Sequence, residues 1–157
     1  MALPRVSTAS LNTNTLVSAA RFVITADRMT EIAFSELSGI TSEVEVSEYL
    51  SSNRLGVSLA KQFGKTKPAT VVLKRGVDQD MALWTWHQEV LAGMATARRT
   101  CSLLLLDISG VIKQTYDLIN AWPSKLEIGG MKAGDSAAAI ATVTLTCEQI
   151  DLAAKTK

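Results

Sequence analysis

The sequence has little of the chemistry that enzymes and metal proteins use. Its only histidine is His87, and its two cysteines lack the paired spacing of a zinc site. A multi-histidine metal centre is therefore excluded, and a catalytic triad would have to use a histidine on the face of a predicted helix. We expect His87 to be a packing residue, and we expect no catalytic site, no metal site and no cofactor.

Charge is also scarce. Charged residues make up 20% of the 157, below the usual ~25%, and the net charge is +1. The chain lacks the excess of basic residues that is typical of a nucleic-acid binder. No apolar run reaches the ~18 residues of a membrane span. The first twenty residues lack the pattern of a signal peptide, so we expect synthesis in the cytoplasm. With 47% hydrophobic residues, the chain is either a subunit covered by neighbouring copies, which we favour, or a monomer with an uncharged surface.

Cysteine is limited to Cys101 and Cys147, which lie inside apolar, strand-like runs. Buried free thiols are the simplest interpretation of such positions. A disulfide between two strands is the alternative that the sequence leaves open.

The stretch from Val72 to Arg99 organises the rest of the chain. It begins as a strand, turns at Gly76, and predicts one α-helix over about residues 79–97. Apolar residues recur at helical spacing, and we expect Trp84 to anchor the helix on a sheet. Acidic residues open this run and basic residues close it, as the helix dipole favours. They are Asp78, Asp80, Arg98 and Arg99.

Short alternating runs between turn residues predict strands in most of the remaining chain. The predicted strands cover 20–26, 31–37, 40–50, 69–75, 100–108, 111–120, 125–128 and 137–148. Pro123 marks a bulge, an edge or a corner between sheets. The predicted fold is mainly β: an antiparallel β-barrel or two packed β-sheets with one flanking α-helix. We expect an N-terminal arm over 1–19, one domain over 20–150 and a loose tail over 151–157.

The segment 51–68 is too long for an ordinary loop, which favours a functional role. It combines basic and apolar residues and contains no acid: Arg54, Leu55, Val57, Leu59, Lys61, Phe63, Lys65 and Lys67. Nucleic acid is one candidate partner, but the segment has no aromatic stacking series. We expect it to contact another copy of the chain.

Three acidic residues precede this segment: Glu43, Glu45 and Glu48. We expect them to be charge partners for the basic segment of another copy. Glu43 and Glu45 share a strand face, so an acid/base pair or a cation site is the alternative. A solvated sheet face is the simpler interpretation, because no third ligand lies nearby.

Several short motifs occur in a recognisable order. Phe22 and Ile24 share the first strand, Lys74-Arg75-Gly76 precedes Leu83-Trp84-x-Trp86, and Asn120-Ala121-Trp122-Pro123 comes before a threonine-rich last strand that ends at Glu148. Together, over about residues 20–150, they resemble the tail tube proteins of contractile phages and of phage-tail-like contractile injection systems.

The resemblance implies a structural subunit. Six copies would close a ring by pairing strand edges, and rings would stack into a hollow inner tube. Contraction of a surrounding sheath would drive this tube through a target envelope, and DNA or protein effectors would pass through it. The implied partners are the chain itself, a sheath protein, baseplate or tip and cap proteins, and the payload. A soluble β-barrel that binds a small apolar ligand is the alternative.

Overall fold

The computed structural model describes residues 19–153. Within them lie ten strands, one α-helix and one 3-10 turn, where the sequence predicted seven or eight strands. The strands are β1 Arg21–Ala26, β2 Met29–Phe34, β3 Glu36–Thr41, β4 Val44–Asn53, β5 Gly56–Thr66, β6 Ala69–Gly76, β7 Arg99–Leu106, β8 Ile112–Ile128, β9 Ile140–Cys147 and β10 Gln149–Leu152. The helix α1 spans Ala82–Leu91, and the 3-10 turn spans Ala95–Ala97.

The strands form one antiparallel sheet and one separate pair. The sheet has the order β2-β1-β7-β8-β9-β6-β3, with β10 added beside β8, and β4 pairs only with β5. The sheet path ends at β2 and β3 without closing. The prediction of mainly antiparallel β structure with one helix is confirmed, but a closed barrel is wrong.

The sheet has two halves: one contains β2, β1, β7, the first part of β8 and β10, and the other contains the second part of β8, β9, β6 and β3. Strand β8 runs through both halves. Its first part pairs with β7 and β10, and its second part, from Trp122 onward, pairs with β9. Asn120 has φ 49°, and the register shifts between Pro123 and Lys125. The predicted irregularity at Pro123 is therefore confirmed as a bulge, and there the sheet passes from one half to the other.

The core lies between the two halves. Along β6, β7 and β9, alternate side chains are buried, as expected for strands with one face on a core. Residues from both halves join one cluster of buried side chains, among them Ile24, Val71, Leu73, Leu103, Leu118, Val143 and Leu145. The two halves therefore share one hydrophobic core.

The chain does not end in one long strand. β9 stops at Cys147, and β10 then crosses to pair with the first part of β8. Asp151 and Leu152 belong to β10, two residues beyond the predicted limit of the domain at 150. The predicted arm lies outside the described residues except for Ala19.

Helix α1 is shorter than predicted. Asp80 lies at its start, and its carboxylate accepts a hydrogen bond from the Ala82 backbone N–H at 3.1 Å. The helix ends at Leu91 because Gly93 adopts φ 71°, a left-handed conformation that closes helices. Arg98 and Arg99 therefore lie beyond the helix instead of in its last turn. No helix within 19–153 has the length and apolar character needed to cross a membrane.

Trp86, not Trp84, anchors the helix. Trp86 is 1% exposed, and its Nε1 donates to the Ala97 carbonyl at 2.7 Å, whereas Trp84 is 42% exposed. The prediction for Trp84 was wrong because apolar residues occupy both sides of this helix, so periodicity alone does not select the buried side. The buried side holds Leu83 and Trp86, and Leu91 is exposed.

Both cysteines are buried free thiols, as predicted. Burial raises the pKa of the Cys101 thiol to about 12 and that of the Cys147 thiol to about 11. The reactive thiolate is therefore scarce at neutral pH.

We expect Trp86→Ala to lower the free energy of unfolding by about 3–5 kcal/mol, as large-to-small core changes do. Trp84→Ala is the matched control on the same helix, and it should cost much less. Chemical denaturation of the isolated subunit measures both. Equal losses for the two variants would contradict this assignment of the helix faces.

We expect neither thiol to react with Ellman's reagent at pH 8 in the folded protein. Both should react once denaturant is added, because unfolding restores access and the ordinary thiol pKa. Fast reaction of one thiol in native buffer would show that its strand opens readily.

Candidate functional site

Strands β4 and β5 form a long hairpin that stands apart from the body. Nine register pairs join them, from Val44↔Thr66 to Asn53↔Gly56. Ten extended residues span roughly 30 Å. Apart from Ser51 and Gly64, which are half-buried, every residue of the two strands is exposed. The segment 51–68, predicted as a loop, instead forms much of this hairpin and its base.

One face of the hairpin carries most of its exposed apolar side chains, with the Glu48–Lys61 pair and Ser52 between them. Because opposite residues of an antiparallel pair share a face, Val46 lies beside Phe63 and Leu50 beside Leu59. Val57 completes this face near the tip. All five are more than half exposed, and Phe63 is 96% exposed. We call these five residues the apolar face.

The tip is a short turn with an exposed apolar residue. Asn53 Oδ1 accepts a hydrogen bond from the Leu55 backbone N–H at 3.0 Å, which fixes the turn locally. Leu55 is 97% exposed, and Arg54 beside it is exposed too. The tip therefore presents one cation and one apolar side chain.

A close backbone contact lies at the root of the hairpin, the end near Val44 and Thr66 where it joins the body. A Cβ at Gly64 would lie 2.8 Å from the Glu45 carbonyl oxygen and 2.8 Å from Ser47 Oγ. The register also shifts between Val44 and Val46. Gly64 is therefore required by this bulge.

All eleven residues predicted as an interface lie on the hairpin or at its root. Lys67 Nζ donates to Glu43 Oε1 of the same chain at 2.7 Å. Glu48 lies directly opposite Lys61 in the register. Part of the charge complementarity that was expected between copies is therefore present within one copy. The assignment of the remaining set to an interface stays a prediction.

The contribution of β4 to the apolar face was not predicted from the sequence. Val46 and Leu50 are 66% and 65% exposed. The signal was present in the sequence, because the run 44–53 alternates and the Asn53–Gly56 turn leads into a second alternating run. Because 51–68 was predicted as a loop, the two alternating runs were not recognised as a hairpin.

The main sheet has open edges at both ends of its path and at β10, which pairs only with β8. β2 and β3 end the sheet path, and each spans six residues. An edge strand presents backbone groups that pair with another chain. The body therefore offers edges for lateral pairing, and the hairpin offers a surface that points away from it.

Motif residues that are distant in sequence meet beside the bend of β8. Glu148 accepts hydrogen bonds from Arg98 Nη1 at 3.2 Å and from Asn120 Nδ2 at 2.9 Å. The Arg98 guanidinium lies 4.9 Å from the centre of the Trp122 ring. His87 Nδ1 lies 3.0 Å from the Pro123 carbonyl oxygen and donates to it. These residues fix the corner of the sheet and the position of the helix on it.

A sequence profile of the T4-like virus tail tube protein gp19 family matches residues 18–151. The chain belongs to this family. Its role is structural, as a tail tube subunit. The predicted resemblance is thereby confirmed over nearly the same residues.

Solved structures of injection systems share the fold of this tail tube subunit. A chain of the anti-feeding prophage baseplate is 23% identical, covers 88% of this chain and 95% of its own length, and has a TM-score of 0.70. A chain of the PVC sheath-tube complex in its extended state is 19% identical, with 95% and 99% covered and a TM-score of 0.72. A chain of the anti-feeding prophage cap is 17% identical, with 96% and 99% covered and a TM-score of 0.71. Comparison with curated protein sequences found no match.

We expect Asn120→Ala to destabilise the tail tube subunit by about 1–2 kcal/mol. Alanine is disfavoured at positive φ, and the hydrogen bond to Glu148 is lost. Asn120→Gly is the control, because it removes the same hydrogen bond but tolerates the backbone conformation. Urea unfolding of the three proteins measures the difference, and an alanine variant as stable as the glycine variant would contradict the backbone argument.

Proposed function

We propose that six copies of this tail tube subunit close a ring, and that rings stack through the β4–β5 hairpin into a hollow inner tube. The tube conducts a payload, which is DNA in a phage tail or protein effectors in an injection particle. A contractile sheath surrounds it, and baseplate and cap proteins close its ends. Family membership and the exposed apolar face support this proposal.

The apolar face is the observation that carries the stacking role. An isolated two-stranded hairpin is marginally stable in water. This one exposes five large apolar side chains on one side, and burying each contributes roughly 1.5–3 kcal/mol. A neighbouring subunit that covers the face therefore stabilises both the hairpin and the stack.

The open edges support ring closure. β2 and β3 lie at opposite ends of the sheet path, so pairing β2 of one copy with β3 of the next is a heterologous contact. Such contacts generate a closed ring when the rotation between copies is right. Ring closure and stacking thus use different parts of the chain.

The ligand-binding alternative finds less support. A barrel that carries an apolar ligand needs a closed, hollow interior. Here the sheet is open, and side chains from both halves fill the space between them. We therefore favour the tube.

Shortening the hairpin tests the proposal. Val46 and Phe63 are directly opposite, so Asn-Gly in place of residues 47–62 gives a tight turn that keeps their register. Because the removed part stands apart from the body, the variant should keep a near-normal melting temperature. Negative-stain microscopy should show that it no longer forms stacked tubes.

Two point variants provide a matched control. Leu59 lies on the apolar face and Ala60 on the opposite face of the same strand. Leu59→Thr should raise the protein concentration needed for tube formation several-fold, and Ala60→Thr should leave it unchanged. If the shortened variant forms tubes at the wild-type concentration, the hairpin is not the stacking element.

A further inference from the structure

A second apolar surface lies beside the first turn of helix α1. It is an open cleft of about 250 Å³ between the helix, the end of β6 and the end of β8. Its rim includes Val77, Met81, Trp84 and Ile128, and each of these side chains is 42–63% exposed. We call it the helix cleft. Large apolar side chains around a concave surface indicate a place where another apolar group docks.

The helix cleft also carries acidic groups. Arg75 lines the cleft with a largely buried side chain and forms an ion pair with Asp78. Its Nη1 also lies 3.6 Å from Asp80 Oδ2. Two carboxylates against one guanidinium leave a net charge of −1. The Asp80 backbone N–H donates to Asp78, and this lowers the pKa of the Asp78 carboxyl, so the acid stays ionised at neutral pH.

The hairpin tip has the complementary character. Arg54 supplies a cation, Leu55 supplies an exposed apolar side chain, and Val57 follows on the apolar face. Both surfaces are apolar, but the cleft carries negative charge and the tip carries positive charge. Charge complementarity of this kind fixes register and selects the partner.

The topology places the tip and the cleft on opposite sides of the body. The hairpin leaves at the end of the sheet formed by Thr41 and Ala69, and the cleft lies at the other end, beside Gly76. The eight residues of β6 separate these ends by roughly 23 Å. A contact between them therefore joins two copies head to tail, which propagates along an axis.

We propose that the hairpin tip of one copy docks in the helix cleft of a second copy, with Leu55 against Met81 and Trp84 and with Arg54 beside Asp78 and Asp80. This inference rests on the proposed function, because it names the acceptor surface for the stacking hairpin. It gives the exposed Trp84 side chain a partner.

Cysteine cross-linking between differently tagged subunits tests the contact. Both native thiols are buried, so introduced cysteines are the reactive ones. Leu55→Cys subunits are co-assembled with Met81→Cys subunits and then oxidised. Leu91→Cys is the matched control, because Leu91 is also exposed and lies about 15 Å further along the same helix. We expect a mixed dimer with Met81→Cys at least ten times more abundant than with Leu91→Cys.

Microscopy of each mixture before oxidation separates the possible failures. If tubes are present but Leu55→Cys joins Leu91→Cys equally well, or fails to join Met81→Cys, the acceptor assignment is wrong and the tube function stands. If wild-type protein forms neither rings nor tubes, the proposed function itself is overturned, together with this inference.

Tryptophan quenching gives a second measurement that does not depend on introduced cysteines. Trp84 is the most exposed of the three tryptophans, so acrylamide should quench it most in separate subunits. Assembly of wild-type protein should reduce this quenching by at least half, and Trp84→Phe should abolish the change. Tubes in which Trp84 remains fully quenchable would overturn the proposal.

Discussion

The bend of β8 is the constraint on which the rest of the fold depends. One continuous strand serves both halves of the sheet, so its change of direction at Asn120 and Pro123 decides how the halves face each other. Glu148 holds the Asn120 side chain, and His87 holds the Pro123 carbonyl. The helix is therefore attached at the same point where the sheet turns, and this closes the core around Trp86.

The sequence predicted most of the body because its strands bury one face. Period-two alternation marked β1, β2 and β9, and Pro123 marked the bulge. The order of strands in the sheet was not predictable, since pairing between distant strands such as β6 and β9 leaves no local pattern. The helix face was also missed, because Trp84 and Trp86 have the same character in sequence and only the packing of the core separates them.

The residues of the candidate site were singled out in the sequence, but the hairpin that carries them was not predicted, and their role as an interface remains a prediction. Arg54, Leu55 and Phe63 drew attention because a basic, apolar segment without acids is unusual within a domain. A hairpin exposed on both faces violates the rule that strands bury one face, and 51–68 was predicted as a loop. That violation is itself informative, because places where local rules fail are often places where a partner completes the structure.

The two kinds of contact proposed for the tube act in different directions. The edges β2 and β3 are short, and the β3 edge carries a register shift between Leu37 and Gly39, a feature that limits indiscriminate edge pairing. In the proposed tube, ring closure depends on backbone geometry, whereas stacking depends on side chains of the hairpin. The body folds around its own core and so holds its edges in place before assembly. On the proposed stacking, the hairpin gains most of its stability when a second subunit covers the apolar face. In the proposed tube, stacking and stabilisation of the hairpin are therefore coupled, so each added ring stabilises the element that joins it to the next.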